Sequence, residues 1–162
     1  AERAADAAID FQMNLSKADG KPLRRLKRMD RGAAFVTAGI MDVTSATNIP
    51  DEELFGPFLQ VYRVATLDDA IVRANATCFG LSGGVVCDDD EVWARAQRDL
   101  RVGLLNRNRP TGGASGALPF GGPGLSGNFR PGAYYAADYA AWPQASQIAA
   151  GAERITAKGI PQ

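Results

Sequence analysis

The first 17 residues show the clearest periodic pattern in the chain. Ala5, Ile9 and Met13 recur four positions apart in an alanine-rich background, which predicts an amphipathic helix that ends near Gly20. The helical pattern is already established at the first residue, with no capping residue ahead of it. We therefore expect either that the chain begins partway through a longer one or that Ala1 is a boundary imposed on the sequence.

From residue 32 onward, short apolar runs alternate with helical patterns. Thr66 followed by Asp69 is a capping-box pattern that predicts the start of a helix, and Asp88 predicts the start of another. The predicted elements are one or two strands in 32–43 with a kink at Gly39, then strands at 59–64, 81–86 and 102–106, with the two helices between the last three. Strands and helices that alternate with short joints predict an α/β fold, a parallel sheet with covering helices.

A long glycine-rich loop, residues 107–132, follows the last predicted strand. A loop of this length in a compact domain is usually functional or mobile, and ligands of parallel sheets collect beyond the carboxyl ends of the strands. Aromatic residues and alanines then alternate over 134–142, which predicts an edge strand. Residues 144–162 are weakly patterned, and we expect them to fray.

Composition and charge exclude several classes of protein. A chain of 162 residues, 46% of them hydrophobic, is long enough for one domain with a core. Eighteen basic and 18 acidic residues balance, so no net field favours nucleic acid or anionic lipid, and the basic cluster in 17–31 reads as a solvated surface. No apolar run approaches the roughly 20 residues that span a bilayer, and residues 1–15 lack the features of a signal peptide. We expect a soluble, cytoplasmic protein.

The two cysteines do not indicate a disulfide framework or a metal site. Cys78 and Cys87 lie in apparently buried or strand-end contexts, and the chain contains no histidine. Neither a disulfide scaffold nor a Cys/His metal site is therefore predicted.

The segment with the most informative chemistry is the acidic corner, Glu53-Leu54-Phe55-Gly56-Pro57. Gly56 relaxes the backbone and Pro57 fixes φ, so the corner presents one carboxylate and one aromatic ring from a rigid turn. The Glu53 carboxylate can accept two hydrogen bonds from a vicinal diol such as a ribose, and the Phe55 ring can pack on a flat ring. This pairing suits a nicotinamide nucleoside. The alternative is a solvated acidic loop ahead of a buried strand.

The acidic corner resembles the E-x-F-G-P element of the NAD(P)-dependent aldehyde dehydrogenases. Residues 79–84 and 119–127 follow in the order and approximate spacing of the same family. Residues 113–115, 127–131 and 134–139 resemble one branch of it, whose members oxidise N-succinyl-L-glutamate 5-semialdehyde to N-succinyl-L-glutamate with NAD in arginine catabolism. The resemblance is close from about residue 42 to residue 146.

The resemblance implies roles for six residues. Glu53 would hold the nicotinamide ribose of NAD and Phe55 would pack on the nicotinamide. Phe120 would line the substrate tunnel. Gly113, Ala114 and Ser115 would grip a carboxylate of the semialdehyde, because small residues let backbone N–H groups converge on an anion. The alternative for this loop is a plain flexible segment.

The family's nucleophilic cysteine lies on the order of a hundred residues upstream of E-x-F-G-P, and the general-base glutamate and the dinucleotide-binding half lie upstream as well. Only 52 residues precede Glu53, so we assign no catalytic residue, and we do not assign Cys78 or Cys87 as the nucleophile. We expect an isolated chain without dehydrogenase activity.

We therefore expect residues 1–132 to be the C-terminal part of an aldehyde dehydrogenase catalytic domain, 133–147 an oligomerisation strand and 148–162 a tail. The partners would be a semialdehyde substrate and either further copies of the chain or an N-terminal half. Two alternatives remain. One is a non-catalytic interaction module that associates through its edge strand. The other is an unstable product with an exposed core surface.

Overall fold

The computed structural model describes residues 1–151. Within them the helices are α1 Glu2–Lys17, α2 Leu67–Asn75, α3 Asp90–Asp99 and α4 Ala136–Ala140. The strands are β1 Lys21–Arg24, β2 Gly39–Asp42, β3 Phe58–Val61, β4 Ser82–Val85, β5 Leu104–Arg107, β6 Pro119–Phe120 and β7 Gly132–Ala133, and Gly124–Ser126 forms a 3₁₀ turn. None of the helices in this part of the chain is long and apolar enough to cross a membrane.

The strands form three small sheets. β2 lies between β1 and β3, antiparallel to β1 and parallel to β3. β4 and β5 form a parallel pair, and β6 and β7 form an antiparallel pair. The α/β class with parallel strands is confirmed, but β3 and β4 do not pair, so α2 connects two sheets and not neighbouring strands of one. A strand–helix–strand pattern predicts direction, whereas adjacency depends on tertiary packing.

The predicted strand region 32–43 forms a strand only at its end. Gly39 begins β2 and does not kink it, and Val36 makes a single isolated bridge with Arg28. A Cβ at Gly39 would lie 2.6 Å from the Phe58 ring. The glycine therefore permits the close packing of β2 against β3.

Helix α1 is confirmed, but its buried face shares only Ala5 with the predicted one, since Ile9 is half-buried and Met13 is exposed. The buried residues are Ala5, Ala8, Gln12 and Leu15, whereas Met13 is 47% exposed. Gln12 is satisfied in the interior, because Leu26 N donates to its Oε1 at 2.7 Å and its Nε2 donates to Leu26 O at 3.2 Å. Leu15 packs with Met41 and Val43 of the β2 region in the main hydrophobic cluster.

Helix α2 begins as predicted and α3 begins one residue later than predicted. The Thr66 Oγ1 accepts from Asp69 N at 3.1 Å, as a capping residue does. Asp89, not Asp88, caps α3 and accepts from Glu91 N at 2.7 Å. Arg95 of α3 pairs with Asp68 of α2 at 2.9 Å, which ties the two helices together.

The segment 134–142 is not a strand, so the predicted edge strand is wrong. Residues Ala136–Ala140 form α4 instead. An edge strand needs a hydrogen-bonding neighbour, and in this chain the alanine-rich sequence adopts the helix that its propensity favours. Residues 143–151 form no regular element, and the rest of the predicted tail, 152–162, lies outside the described residues.

The glycine-rich segment 121–127 packs directly on the backbone next to β4 and β5. Leu125 N donates to Cys78 O at 2.8 Å, and Gly80 N donates to the Ser126 Oγ at 2.9 Å. A Cβ at Gly103 would lie 1.7 Å from Gly121 O, which no relaxation of a side chain could relieve. These contacts connect the end of the long loop to the start of β4.

The chain exposes more surface than a compact protein of its mass. Its accessible surface is 12410 Å², against roughly 7,700 Å² from surface scaling for a compact monomer of 17.1 kDa. Large apolar side chains contribute to this excess, among them Phe55, Val86, Leu125, Phe129 and Trp142. Exposed large apolar side chains of this kind are typical of surfaces that pack against other protein.

The backbone packing at Gly103 predicts a large effect of a single methyl group. Gly103→Ala should lower the free energy of unfolding by about 3 kcal/mol or more, because backbone must move to admit the Cβ. Gly112→Ala is the matched control, since nothing lies within 4 Å of its Cβ position. Urea denaturation measures both changes. Equal stability of the two variants would contradict the backbone packing described here.

Candidate cofactor and substrate site

Asp51 fixes the loop that leads into the acidic corner. Its Oδ1 accepts from the Thr77 Oγ1 at 2.7 Å, and its Oδ2 accepts from Cys78 N at 2.6 Å. These hydrogen bonds, first those from Cys78, lower the pKa of the Asp51 carboxyl from its usual value. The loop before Glu53 is thereby tied to the chain that follows α2.

The acidic corner itself is a tight turn attached to β2. Gly56 N donates to Leu54 O, and Phe58 N donates to Gly56 O, both at 2.9 Å. Gly39 N donates to Pro57 O at 2.9 Å. The turn is therefore held by the sheet on one side and by Asp51 on the other, which orients Glu53 and Phe55.

Glu53 and Phe55 line one cavity together with the outer face of α1. This α1 cavity has a volume of about 430 Å³. Its lining residues are Ala4, Ala7, Asp10, Phe11 and Asn14 of α1 and Glu52, Glu53, Leu54 and Phe55 of the corner. The Phe55 ring is 77% exposed, so its face is available to a ligand. A pocket lined by aromatic side chains and a few polar groups is typical of small-molecule sites.

Glu53 also borders a second cavity on the side of β4. This β4-side cavity, of about 530 Å³, is lined by the acidic loop, by the start of β4 and by the 3₁₀ turn, including Thr77, Phe79, Ser82, Leu125 and Ser126. Glu53 therefore separates two cavities, one against α1 and one against the glycine-rich segment.

The predicted substrate loop, which carries Gly113, Ala114 and Ser115, is exposed and extends from the end of β5. Its stem is fixed because the Ser82 Oγ donates to Thr111 O at 2.8 Å. Gly113 has a φ of +84°, and no atom lies within 4 Å of its Cβ position. The Ser115 Oγ accepts from Ala117 N at 3.2 Å, which leaves its hydroxyl proton available for a ligand. Phe120 lies in β6 and is 41% exposed.

The dehydrogenase interpretation of the sequence requires the acidic corner and residues 113–115 to meet across a single cleft, and the described residues do not form one. Glu53 and Phe55 share the α1 cavity, whereas neither cavity that Glu53 lines includes residues 113–115 or Phe120. The acidic corner and residues 113–115 nevertheless both lie at the surface, each in a turn held by hydrogen bonds. Closing a cleft over them would take additional protein.

Sequence reasoning missed three polar residues around the corner. Asp51 lies outside the corner motif, although a carboxylate two residues before Glu53 is an available signal. Asp10 and Asn14 stand four residues apart on α1, and this spacing places both on one helix face. From the sequence alone, a polar helix face is predicted to be exposed to solvent. Only the structure shows that the acidic corner packs beside this face.

Cys78 is exposed, so the expectation that it is buried is wrong, while Cys87 is half-buried. The Asp51 carboxylate beside Cys78 raises the pKa of its thiol, chiefly through their hydrogen bond. A raised pKa opposes a role as nucleophile, which requires the thiolate. Among the described residues, no group of three or more His, Cys, Asp or Glu side chains is placed to hold a metal ion.

Comparison with known proteins gives a consistent result. A sequence profile described as "Aldehyde dehydrogenase family" matches residues 5–143. The N-succinylglutamate 5-semialdehyde dehydrogenases of Burkholderia orbicola (strain MC0-3) and of Burkholderia cenocepacia (strain J2315) are 54% and 55% identical to this chain over 144 residues, or 89% of it. The chain spans 30% of the length of each.

Solved structures show the same fold. An aldehyde dehydrogenase 21 from Physcomitrella patens in complex with succinate matches with a TM-score of 0.72 and 26% identity, over 85% of this chain and 28% of that one. A 1-pyrroline-5-carboxylate dehydrogenase from Thermus with bound NAD matches with a TM-score of 0.66 and 33% identity, over 78% and 24% of the two chains.

The contact between Asp51 and Cys78 predicts a change in thiol reactivity. Asp51→Asn removes the carboxylate whose hydrogen bond and negative charge raise the pKa of Cys78, so alkylation of Cys78 by iodoacetamide at pH 8 should become several-fold faster. Mass spectrometry follows both cysteines, and Cys87 serves as the internal control. An unchanged rate at Cys78, or an equal increase at Cys87, would contradict the direct effect of Asp51.

Proposed function

The chain belongs to the aldehyde dehydrogenase family, and we propose that it is the C-terminal part of an enzyme that oxidises N-succinyl-L-glutamate 5-semialdehyde to N-succinyl-L-glutamate with NAD. The reaction would serve arginine catabolism by the succinyltransferase route, in the cytoplasm. The observation that carries the cofactor assignment is the shared cavity of Glu53 and Phe55. The identity of 54% to named relatives supports the choice of substrate.

The residues of the α1 cavity fit a nicotinamide nucleoside. The Glu53 carboxylate offers two acceptor oxygens to a vicinal diol, and the exposed Phe55 ring offers a face to a flat heterocycle. A volume of about 430 Å³ is within the range of small-molecule sites. When bound, NAD supplies the electron acceptor of the oxidation. The Thermus relative with bound NAD supports NAD as the cofactor.

The substrate loop fits the carboxylate of a semialdehyde. Within the described residues, no oxygen accepts from the N–H groups of Gly113 or Ala114, so both remain available to an anion. The Ser115 hydroxyl adds a third donor, and Phe120 presents apolar surface to the carbon chain. Together these groups would orient the substrate by its carboxylate end.

The remaining parts of the enzyme would come from additional polypeptide. The curated relatives are about three times as long as this chain, and its accessible surface of 12410 Å² leaves much apolar area to be covered. We assign the nucleophilic cysteine, the general-base glutamate and the pyrophosphate contacts to that polypeptide. In this proposal residues 1–132 contribute one wall of the cleft.

Residues 133–147 would then contribute to association between subunits. Trp142 is 92% exposed and Tyr134 is 66% exposed, which favours a role in contact with other protein. In the alternative function, a non-catalytic interaction module, the same surface would be the main feature. The edge strand on which that alternative depended is absent from the described residues, because α4 occupies its place.

A chimeric enzyme tests the proposed function. Residues 5–143 of this chain would replace the matching segment of the Burkholderia cenocepacia enzyme, to which the chain is 55% identical. We expect the chimera to form NADH from N-succinylglutamate semialdehyde, and the chain alone to form none, since removing a nucleophile costs most of the rate enhancement.

In the chimera, Ser115→Ala should raise KM for the semialdehyde about tenfold, through loss of one hydrogen bond to a charged group.

Ser126→Ala is the control, because its hydroxyl accepts from Gly80 N and lies outside the substrate loop, so it should affect stability more than KM. A chimera with the circular dichroism and oligomeric state of the parent enzyme that forms no NADH would contradict the proposed function. NADH production by the chain alone would contradict the assignment of the nucleophilic cysteine and the general base to additional polypeptide.

A further inference from the structure

The face of α1 that meets the acidic corner is made of small and polar residues. Ala4 and Ala7 line the cavity near the start of the helix, and Asp10 and Asn14 line it farther along. Alanine side chains leave room between helix and corner that larger residues would fill. Phe11, which also borders the cavity, packs edge-on against Phe58 at 5.7 Å and is thus fixed by the sheet.

The α1 cavity is negatively charged. Asp10, Glu52 and Glu53 all line it, and neither lysine nor arginine does. Within the described residues none of these three carboxylates forms an ion pair, whereas Asp6, one turn earlier on α1, pairs with Arg28. Asp10 stands on the helix wall of the cavity, across from the corner that carries Glu53 and Phe55. An unpaired carboxylate in this place is not needed to hold the fold.

A nicotinamide ring changes charge in the reaction that we propose for this protein. The oxidised ring carries one positive charge and the reduced ring carries none, while the ribose and phosphates are the same in both forms. Carboxylates around the ring therefore stabilise the oxidised form selectively, because a charge acts on another charge and only weakly on a neutral ring. The same carboxylates repel the negatively charged pyrophosphate of the cofactor. We therefore expect the pyrophosphate to lie outside this cavity.

We propose that Asp10 is a specificity-determining residue that makes the site bind NAD in preference to NADH. This inference rests on the proposed function and deepens it. Glu53 bonds the ribose diol in both redox states, so its hydrogen bonds contribute similarly to the binding of each. Asp10 has no diol to bond, and its charge acts on the ring alone. The preference would favour loading with the oxidised cofactor and release of the reduced one.

The test compares dissociation constants for the two cofactors in the chimeric enzyme. Calorimetry measures Kd for NAD, and the fluorescence of NADH measures its Kd, at low and at high salt. Asp10→Asn should lower the ratio of Kd for NADH to Kd for NAD roughly threefold to tenfold, mainly by weakening NAD binding. The effect should shrink at high salt because ions screen the carboxylate.

Two further variants control for structure and for net charge. Asp10→Glu keeps the carboxylate and should keep the ratio. Asp19→Asn changes the net charge equally at a residue just beyond α1 that lines neither Glu53 cavity, and its φ of +68° tolerates asparagine. Its ratio should equal that of the unmodified chimera.

Three results would overturn the inference. If Asp10→Asn changes the ratio by less than twofold, Asp10 is only a solvated residue of a helix face. If it weakens NAD and NADH equally, Asp10 acts as a second hydrogen-bonding group and not on the ring charge. A chimera that binds neither dinucleotide overturns the proposed function, and the inference with it, whereas an active chimera with an unchanged ratio leaves the proposed function intact.

Discussion

The structure of the candidate site depends on the carboxylate of Asp51, a residue to which we assign no contact with a ligand. Asp51 joins the acidic corner to the segment after α2, through the Thr77 hydroxyl and the Cys78 amide. Without these bonds the corner would be held only by its link to β2, at Gly39. Because Asp51 precedes Glu53 by two residues, fixing it limits where the Glu53 carboxylate can lie. Glu53 lines both the α1 cavity and the β4-side cavity from this position.

The glycine-rich segment 121–127 carries this constraint farther. The Cys78 amide donates to Asp51 and the Cys78 carbonyl accepts from Leu125 N, so one residue links the acidic corner to the long loop. Gly103 and Gly80 bring β5 and the start of β4 into the same contact, through the bond from Gly103 N to Gly80 O at 2.8 Å. The stem of the substrate loop is held in turn by Ser82 of β4. The proposed cofactor and substrate groups are thus connected through a series of hydrogen bonds, although neither cavity that Glu53 lines includes residues 113–115.

Local hydrogen bonds explain which elements the sequence predicted well. The Thr66 cap involves groups three residues apart, and α1 follows from a 16-residue pattern. Both could therefore be predicted from the sequence. The corner was identified from its motif, and Glu53 and Phe55 line one cavity, but their contact with the cofactor stays a prediction. The separation of β3 from β4 and the position of Asp10 beside the corner depend on residues far apart in the chain, which no local pattern specifies. α4 formed where alternation predicted a strand, because a strand without a neighbour loses to the helix propensity of alanine.

The central claim is that the acidic corner and α1 enclose the nicotinamide nucleoside. A crystal structure of the chimeric enzyme with NAD tests this most directly. The account predicts the ribose hydroxyls within hydrogen-bonding distance of the Glu53 carboxylate, with the ring between Phe55 and the α1 face that carries Asp10. A nucleoside bound in the β4-side cavity, or a ribose with no contact to Glu53, would contradict it.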